Sequence, residues 1–274
     1  MTLKVGGPLI LVGAGKMGGA LLTGWLDRGL NPDSIFILDP APPEEVAALA
    51  KDKNIHLNAV PDGLPDAPAV MVLAVKPQVM DEVLPPLKPH MAEGTVVLSI
   101  AAGQTLASME RHLGSDTAIV RSMPNTPAAI GRGITVACAN KHVSDSQKDS
   151  CDALLSAAGS VAWTNDEAAL DPVTAVSGSG PAYVFLLAEC LEEAGVEAGL
   201  DRDLARQLAC ETVSGAGELL RQSDLSAAQL RKNVTSPGGT TAAALKILMG
   251  EDGLQQLMTQ AVKAATKRSR ELSS

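Results

Sequence analysis

"PLILVGAGKMGGALLTGWLDRG", residues 8–29, runs an apolar stretch, a glycine turn and an amphipathic pattern end to end. The segment 9–12 is apolar at every position, which suits a strand buried on both faces of a parallel sheet. From residue 16 onward the apolar residues recur at helical spacing. Between the two, Gly13-Ala14-Gly15-Lys16-Met17-Gly18 fits the pattern G-x-G-x-x-G. The first glycine makes the tight turn, the second lets backbone approach a pyrophosphate, and the third lets helix pack on strand. The helix N-terminus then stabilises the phosphate charge. A match of this kind is weak by itself in a chain with 25 glycines. A strand before it and a helix after it make it specific.

The same alternation continues outward. "SIFILDP" (34–40), "NIHLNAV" (54–60), "AVMVLAVKP" (69–77), "GTVVLSIAAG" (94–103), "TAIVRSMP" (117–124) and "GITVACA" (133–139) read as further strands. "EEVAALAKD" (44–52), "QVMDEVLPPL" (78–87) and "LASMERHLG" (106–114) read as helices between them. Such alternation predicts a doubly wound α/β fold with a mostly parallel, Rossmann-type sheet. Past "SVAWTNDE" (160–167) nearly everything is helical. The expected division is therefore a dinucleotide-binding domain over 1–165 and an all-helical domain over 166–274. The segment 180–195, "GPAYVFLLAECLEEAG", is apolar around most of its circumference. A helix of that kind must be covered on every side, and about five helices are too few to do so. A second subunit is expected to supply the cover.

Composition narrows the function. The chain has 274 residues, 46% hydrophobic but only 2% aromatic, so close packing through Ala, Leu and Val is expected. Net charge is −9 and no basic block is longer than the terminal "KRSR", which argues against a nucleic-acid partner. No apolar run reaches the roughly 18 residues of a membrane span. Cys138, Cys151, Cys190 and Cys210 are scattered without metal-ligand spacing. They are expected to be small buried hydrophobes in a reducing cytoplasm, with no metal site and no disulfide framework.

Ligands bind outside the carboxyl ends of strands in such sheets. The second strand ends at Asp39, whose carboxylate can accept hydrogen bonds from both adenosine ribose hydroxyls and would repel a 2′-phosphate. That leans toward NADH over NADPH, although an ordinary acidic turn residue before "PAPP" is an open alternative. Ala74-Val75-Lys76-Pro77 and the segment 99–103, "SIAAG", end two more strands with small residues that leave room for a nicotinamide ribose, with plain loop punctuation an equally open alternative. For Arg121, packing and cofactor contact are equally open. His56, His90, His112 and His142 fall in no motif and receive no chemistry.

Five motifs occur in one order: the glycine loop, "AVKPQ" (74–78), "RSMPNTP" (121–127), "SGSGPAY" (177–183) and "SPGGTT" (236–241). Together they resemble pyrroline-5-carboxylate reductase across essentially the whole chain. The resemblance implies reduction of a cyclic imine to L-proline with NADPH or NADH. It also implies a Rossmann domain followed by a helical domain that interlocks with a partner's. By the same motifs, Gly13 to Gly18 and Ala74 to Pro77 would contact the cofactor, with Asn58 near the adenosine ribose. Met123, Pro124 and Asn125 would lie beside the nicotinamide. Asp39 departs from many members, in which NADPH users tend to carry Ser or Arg.

Against that substrate, "NVTSPGGTTAAALKIL" (233–248) gains a purpose. Pyrroline-5-carboxylate offers a carboxylate and a ring nitrogen. Backbone amides at a helix N-terminus bind anions without a cationic side chain. Ser236, Gly239 and Thr240 are expected to hold the carboxylate, and the Thr241 hydroxyl to bond the ring nitrogen. The bland alternative is N-capping of a helix over 240–249 by a threonine, worth about 1 kcal/mol. Asp224, just ahead of the turn, could stabilise the iminium but reads more simply as a surface residue. Two rivals stand beside this reading. A β-hydroxyacid dehydrogenase-like enzyme would need a lysine where Val184 stands, and a non-catalytic NAD(P) sensor would not need the anion turn.

Overall fold

The computed structural model describes residues 3–273. By contacts the chain divides into two compact units. One runs from the amino terminus to Gly178 and includes the carboxyl-terminal stretch from Thr266; the other is Ser179–Ala265.

The first unit is the expected sheet. Its elements are β1 (Leu9–Val12), α1 (Lys16–Asp27), β2 (Ile35–Leu38), α2 (Glu44–Asp52), β3 (His56–Asn58), β4 (Val70–Leu73) and α3 (Met80–Leu87). There follow β5 (Val96–Ser99), α4 (Leu106–Leu113), β6 (Ala118–Met123), β7 (Gly133–Ala139), α5 (Asp145–Ser156), β8 (Gly159–Thr164) and the single turn α6 (Leu170–Val173). The strands form one sheet in the order β3-β2-β1-β4-β5-β6-β7-β8. Every pairing is parallel except β6–β7, where Arg121 stands opposite Cys138. The order 3-2-1-4-5-6 is that of a Rossmann sheet, and its direction reverses between β1 and β4.

Alternate residues of the central strands feed two cores. Leu9, Leu11, Val70, Val72, Val96 and Leu98 face α1 and α5. Ile10, Met71, Leu73, Val97 and Ile119 face α3 and α4. Trp25 on α1 is fully buried, and its indole N–H donates to the Leu154 carbonyl at 3.0 Å, tying α1 to α5.

The structure adds one strand to the sequence reading. The segment taken as the end of the alternating pattern contains β8, an edge strand beside β7. Its faces alternate between half-buried and exposed, so it lacks the apolar run that marks the central strands. The division by contacts falls after the expected 165/166, since residues 167–178 pack with the sheet unit. Leu170 and Ala175 are buried, and the Arg121 guanidinium contacts Glu167 at 2.7 Å. The Ser269 hydroxyl in turn donates to Asp171 at 2.7 Å, holding the carboxyl-terminal stretch to the same unit.

The second unit contains α7 (Gly180–Glu197), α8 (Arg202–Gln222), α9 (Ala227–Asn233), α10 (Thr240–Leu248) and most of α11 (Leu254–Ser273). α7 and α8 pack where Gly195 meets Ala205; a Cβ on that glycine would lie 3.2 Å from the alanine's. Glu192 and Glu193 accept hydrogen bonds from Arg202 beside this contact. No residue of α7 is buried, and Val184, Phe185, Leu186 and Leu187 are all exposed. Cys190 and Cys210 share this exposure, whereas Cys138 and Cys151 are buried. The expectation of four buried thiols therefore fails on the helical unit, where one chain does not cover its own apolar helices. Among the described residues no helix is long and apolar enough to cross a membrane.

Candidate active site

A cleft of about 520 Å³ opens at the carboxyl ends of β1, β2 and β4. Its walls bring together Gly13, Gly15, Asp39, Ala74, Val75 and Lys76, all expected from the sequence. Gly13 turns at φ +87°, and a Cβ there would lie 2.8 Å from Val75 Cγ1, so only glycine fits. A Cβ on Gly18 would run into the Gly13 carbonyl, which is how α1 seats against β1. At Gly15 a Cβ would meet no protein atom; the space before it belongs to the cleft. Gly15 is also the N-cap of α1, with no side chain capping the helix and no acidic residue in its first turn. The first amides of α1 are thus open to an anion. Ala14 and Gly18 are buried, while Lys16 and Met17 sit on the first turn of α1 outside the cleft wall. Pro77 starts a single 3-10 turn before α3.

Asp39 does more than face the cleft. One carboxylate oxygen accepts the Ala14 N–H at 2.8 Å and the other accepts the Ala41 N–H at 2.9 Å. The first bond fixes the glycine loop to the end of β2. Each carboxylate oxygen can accept a second hydrogen bond, so capacity remains for a ribose diol. The Asp39 N–H donates to the Asn58 carbonyl at 3.0 Å, and Ala59, next in sequence, lines the cleft. The Asn58 Nδ2 is buried and has no partner among the described residues. An open helix start, a glycine facing empty space and an orphaned amide donor fit a dinucleotide laid along these strand ends. Sequence reasoning missed the α3 side of the wall, where Glu82, Val83 and Pro86 stand. The position of α3 just after a recognised ligand-binding strand end was the available signal.

Farther along the sheet, β6 ends at Met123, followed by Pro124 and Asn125. The Asn125 Oδ1 accepts the Ile134 N–H at 3.0 Å, and its Nδ2 donates to Ser177 Oγ at 3.2 Å. Arg121 is buried within the same strand, and its partner Glu167 also accepts the Leu106 N–H at 2.8 Å. The structure thus gives Arg121 a packing partner that joins β6, α4 and the segment before α6. Gly103, at the end of the "SIAAG" segment, has a second purpose: a Cβ there would lie 3.1 Å from the Leu272 carbonyl of α11.

In the helical unit, residues 236–241 form a turn into α10. Gly238 adopts φ +70°, a value that favours glycine. The Gly239 N–H donates to the Ser236 carbonyl at 3.1 Å, closing the turn. Gly239 is the N-cap of α10, and no side chain caps the helix, so simple capping by a threonine is not what the hydroxyls do here. With the Gly239 amide spent on the turn, the amides of Thr240, Thr241 and Ala242 are the ones that start the helix uncapped. Ser236 and Thr240 are exposed, and Thr241 is half-buried. Asp224 is exposed between α8 and α9. Among the described residues no group of three or more His, Cys, Asp or Glu side chains could hold a metal ion.

Two family models match, one in each part of the chain. Residues 167–272 match the family model described as pyrroline-5-carboxylate reductase dimerisation. Residues 9–103 match one described as NADP oxidoreductase, coenzyme F420-dependent. A pyrroline-5-carboxylate reductase of Pseudomonas aeruginosa is 41% identical over 265 residues, 96% of each chain. The structure of a pyrroline-5-carboxylate reductase from Coxiella burnetii superposes with a TM-score of 0.91 at 34% identity, covering 98% of this chain and 99% of that one. A Plasmodium falciparum pyrroline carboxylate reductase, solved with NADP bound, matches at a TM-score of 0.83 and 31% identity over the full length of both. With the motifs in place and this similarity running from end to end, the chain belongs to the pyrroline-5-carboxylate reductase family.

Proposed function

We propose that this chain reduces 1-pyrroline-5-carboxylate to L-proline with a reduced nicotinamide dinucleotide. The carrying observation is the start of α10, which offers uncapped amides, a serine and two threonines but no charged side chain. That set suits a small carboxylate bound by dipoles rather than by a cation. The Thr240, Thr241 and Ala242 amides and the Ser236 hydroxyl hold the carboxylate. The Thr241 hydroxyl accepts a hydrogen bond from the protonated ring nitrogen. Met123, Pro124 and Asn125 border the nicotinamide, and Asn58 and Asp39 serve the adenosine ribose.

The bound dihydronicotinamide supplies the hydride to the imine carbon. The protein's own task is to orient the acid and keep water from the reacting carbon. An imine is a weaker base than an amine and takes its proton from solvent near neutral pH. No side-chain acid is therefore required, and Asp224 carries no assigned step. Asp39 and Glu82 share one cleft, and among its described lining residues Lys76 is the only cation. Two carboxylates oppose a 2′-phosphate, so NADH is the preferred cofactor. Four unpaired thiols fit the reducing cytoplasm as the place of work.

The test is to follow reduced-cofactor absorbance with pyrroline-5-carboxylate, then the oxidised cofactor with 3-hydroxy acids. Oxidation with the imine alone supports the proposal, provided Thr241→Val lowers turnover at least about tenfold, the loss of one oriented bond. Turnover of hydroxy acids instead, or of neither substrate, refutes it.

A further inference from the structure

Ser177 and the turn that carries it have no role yet in the reaction just described. Residues 174–178 form a single π-turn, Thr174–Gly178, between α6 and α7. Such turns have wide, poorly packed hydrogen-bond rings and cluster at functional sites. This one is pinned to the end of β6 from two directions. The Asn125 amide donates to Ser177 Oγ at 3.2 Å, and a Cβ on Gly178 would lie 2.5 Å from Met123 Cε. The orientation of Asn125 is not free, because its Oδ1 accepts the Ile134 N–H at 3.0 Å. Its Nδ2 must therefore face the serine.

A hydroxyl that accepts a hydrogen bond keeps its own proton for another acceptor. Among the described residues the Ser177 proton has none, although both Ser177 and Asn125 are only half-buried. Accepting from Asn125 also polarises the O–H and makes it a better donor. The chain thus maintains an aimed neutral donor where β6 ends. In a sheet of this order the dinucleotide crosses at the β1–β4 reversal, its adenosine half toward β2 and its nicotinamide half toward β5 and β6. The nicotinamide group carries a carboxamide whose oxygen requires such a donor.

We propose that the Ser177 hydroxyl donates a hydrogen bond to the nicotinamide carboxamide oxygen, and that Asn125 is the positioning residue that aims it. The bond sets the carboxamide torsion and with it the ring face presented for hydride transfer. The proposal rests on the cofactor half of the functional reading and on no statement about the substrate.

Calorimetry with the oxidised dinucleotide and its thionicotinamide analogue tests it, since sulfur is a poor acceptor in place of the carboxamide oxygen. Ser177→Ala raises Kd for the natural dinucleotide about fivefold to tenfold, and for the analogue less than about twofold. Ser177→Thr restores wild-type preference. Asn125→Asp keeps the Ile134 bond but turns the serine proton inward, so it also erases the preference for oxygen over sulfur. It decides the matter even if Ser177→Ala folds poorly. An unchanged preference in Ser177→Ala and Asn125→Asp, or equal weakening toward both ligands, overturns the proposal. Binding needs no turnover: a chain that shows the Ser177 dependence yet ignores the imine refutes the reaction and keeps this inference.

Discussion

Asp39 shows how much one side chain can hold. Its two oxygens tie the glycine loop and the following turn to the end of β2, through bonds of 2.8 and 2.9 Å. Its charge also faces the cleft that Glu82 lines. Asp39→Ser removes the repulsion toward a 2′-phosphate and is expected to raise the NADPH-to-NADH ratio of kcat/KM at least about tenfold, one removed like-charge contact at close range. A steady-state comparison of both cofactors checks this, and an unchanged ratio removes Asp39 from cofactor choice. Cys151 illustrates the opposite case, a titratable group with no chemistry. Burial, with the Asp152 charge adding to it, pushes its thiol up to about 12. An unfolded cysteine ionises near pH 8.5, so between there and pH 12 the unfolded chain has lost a proton that the folded chain keeps. Stability is complete below that window and falls within it by about 1.4 kcal/mol per pH unit from this group alone. Urea titrations from pH 8 upward are expected to show a shallower fall for Cys151→Ala than for wild type; parallel curves would contradict the assignment.

At the scale of elements, the segments that position the site differ in how they can be read. The glycine loop is legible by its spacing, and β1, β4 and β5 because they are fully buried and, Ser99 apart, apolar at every position. β8 is not, since an edge strand needs only one packed face and Val161 and Trp163 alone mark it. Thr241 and its neighbours could be picked out as a helix start. Which amides stay open depends on the turn, where the Gly239 N–H is drawn back onto Ser236. Glu167 escaped notice altogether because its two partners, Arg121 and the Leu106 amide, lie 46 and 61 residues away. Its carboxylate joins β6 to the start of α4, and Arg121 beneath it is buried. Glu167→Ala leaves a buried guanidinium unpaired and is expected to cost about 3 kcal/mol. Urea unfolding at fixed protein concentration reads this directly; a loss under about 1 kcal/mol would mean that solvent already screens the pair.

At the scale of the molecule, composition foretold an interface that one chain cannot complete. α7 has no buried residue, and Phe185 is 62% exposed. The family model matched over residues 167–272 is a dimerisation model, in keeping with apolar helices that need a second copy. Phe185→Asp places a charge in that surface and is expected to convert the assembly to monomers at micromolar concentration, with turnover lost alongside. Light scattering gives the mass, and an unchanged oligomer would show that α7 lies outside the contact. The change from alternating strands and helices to helices alone was legible as well. Residues 167–178 are helical in pattern and pack with the sheet unit.

On this reading, main-chain amides at the start of α10 hold the substrate's carboxylate while the strand-end cleft holds the dinucleotide. A crystal structure with oxidised cofactor and L-proline decides between this arrangement and any other. The proline carboxylate is expected within hydrogen-bond distance of the Thr240, Thr241 and Ala242 amides, with its ring nitrogen on the Thr241 hydroxyl. Proline bound elsewhere, or held at its carboxylate by a lysine or arginine side chain, would contradict it.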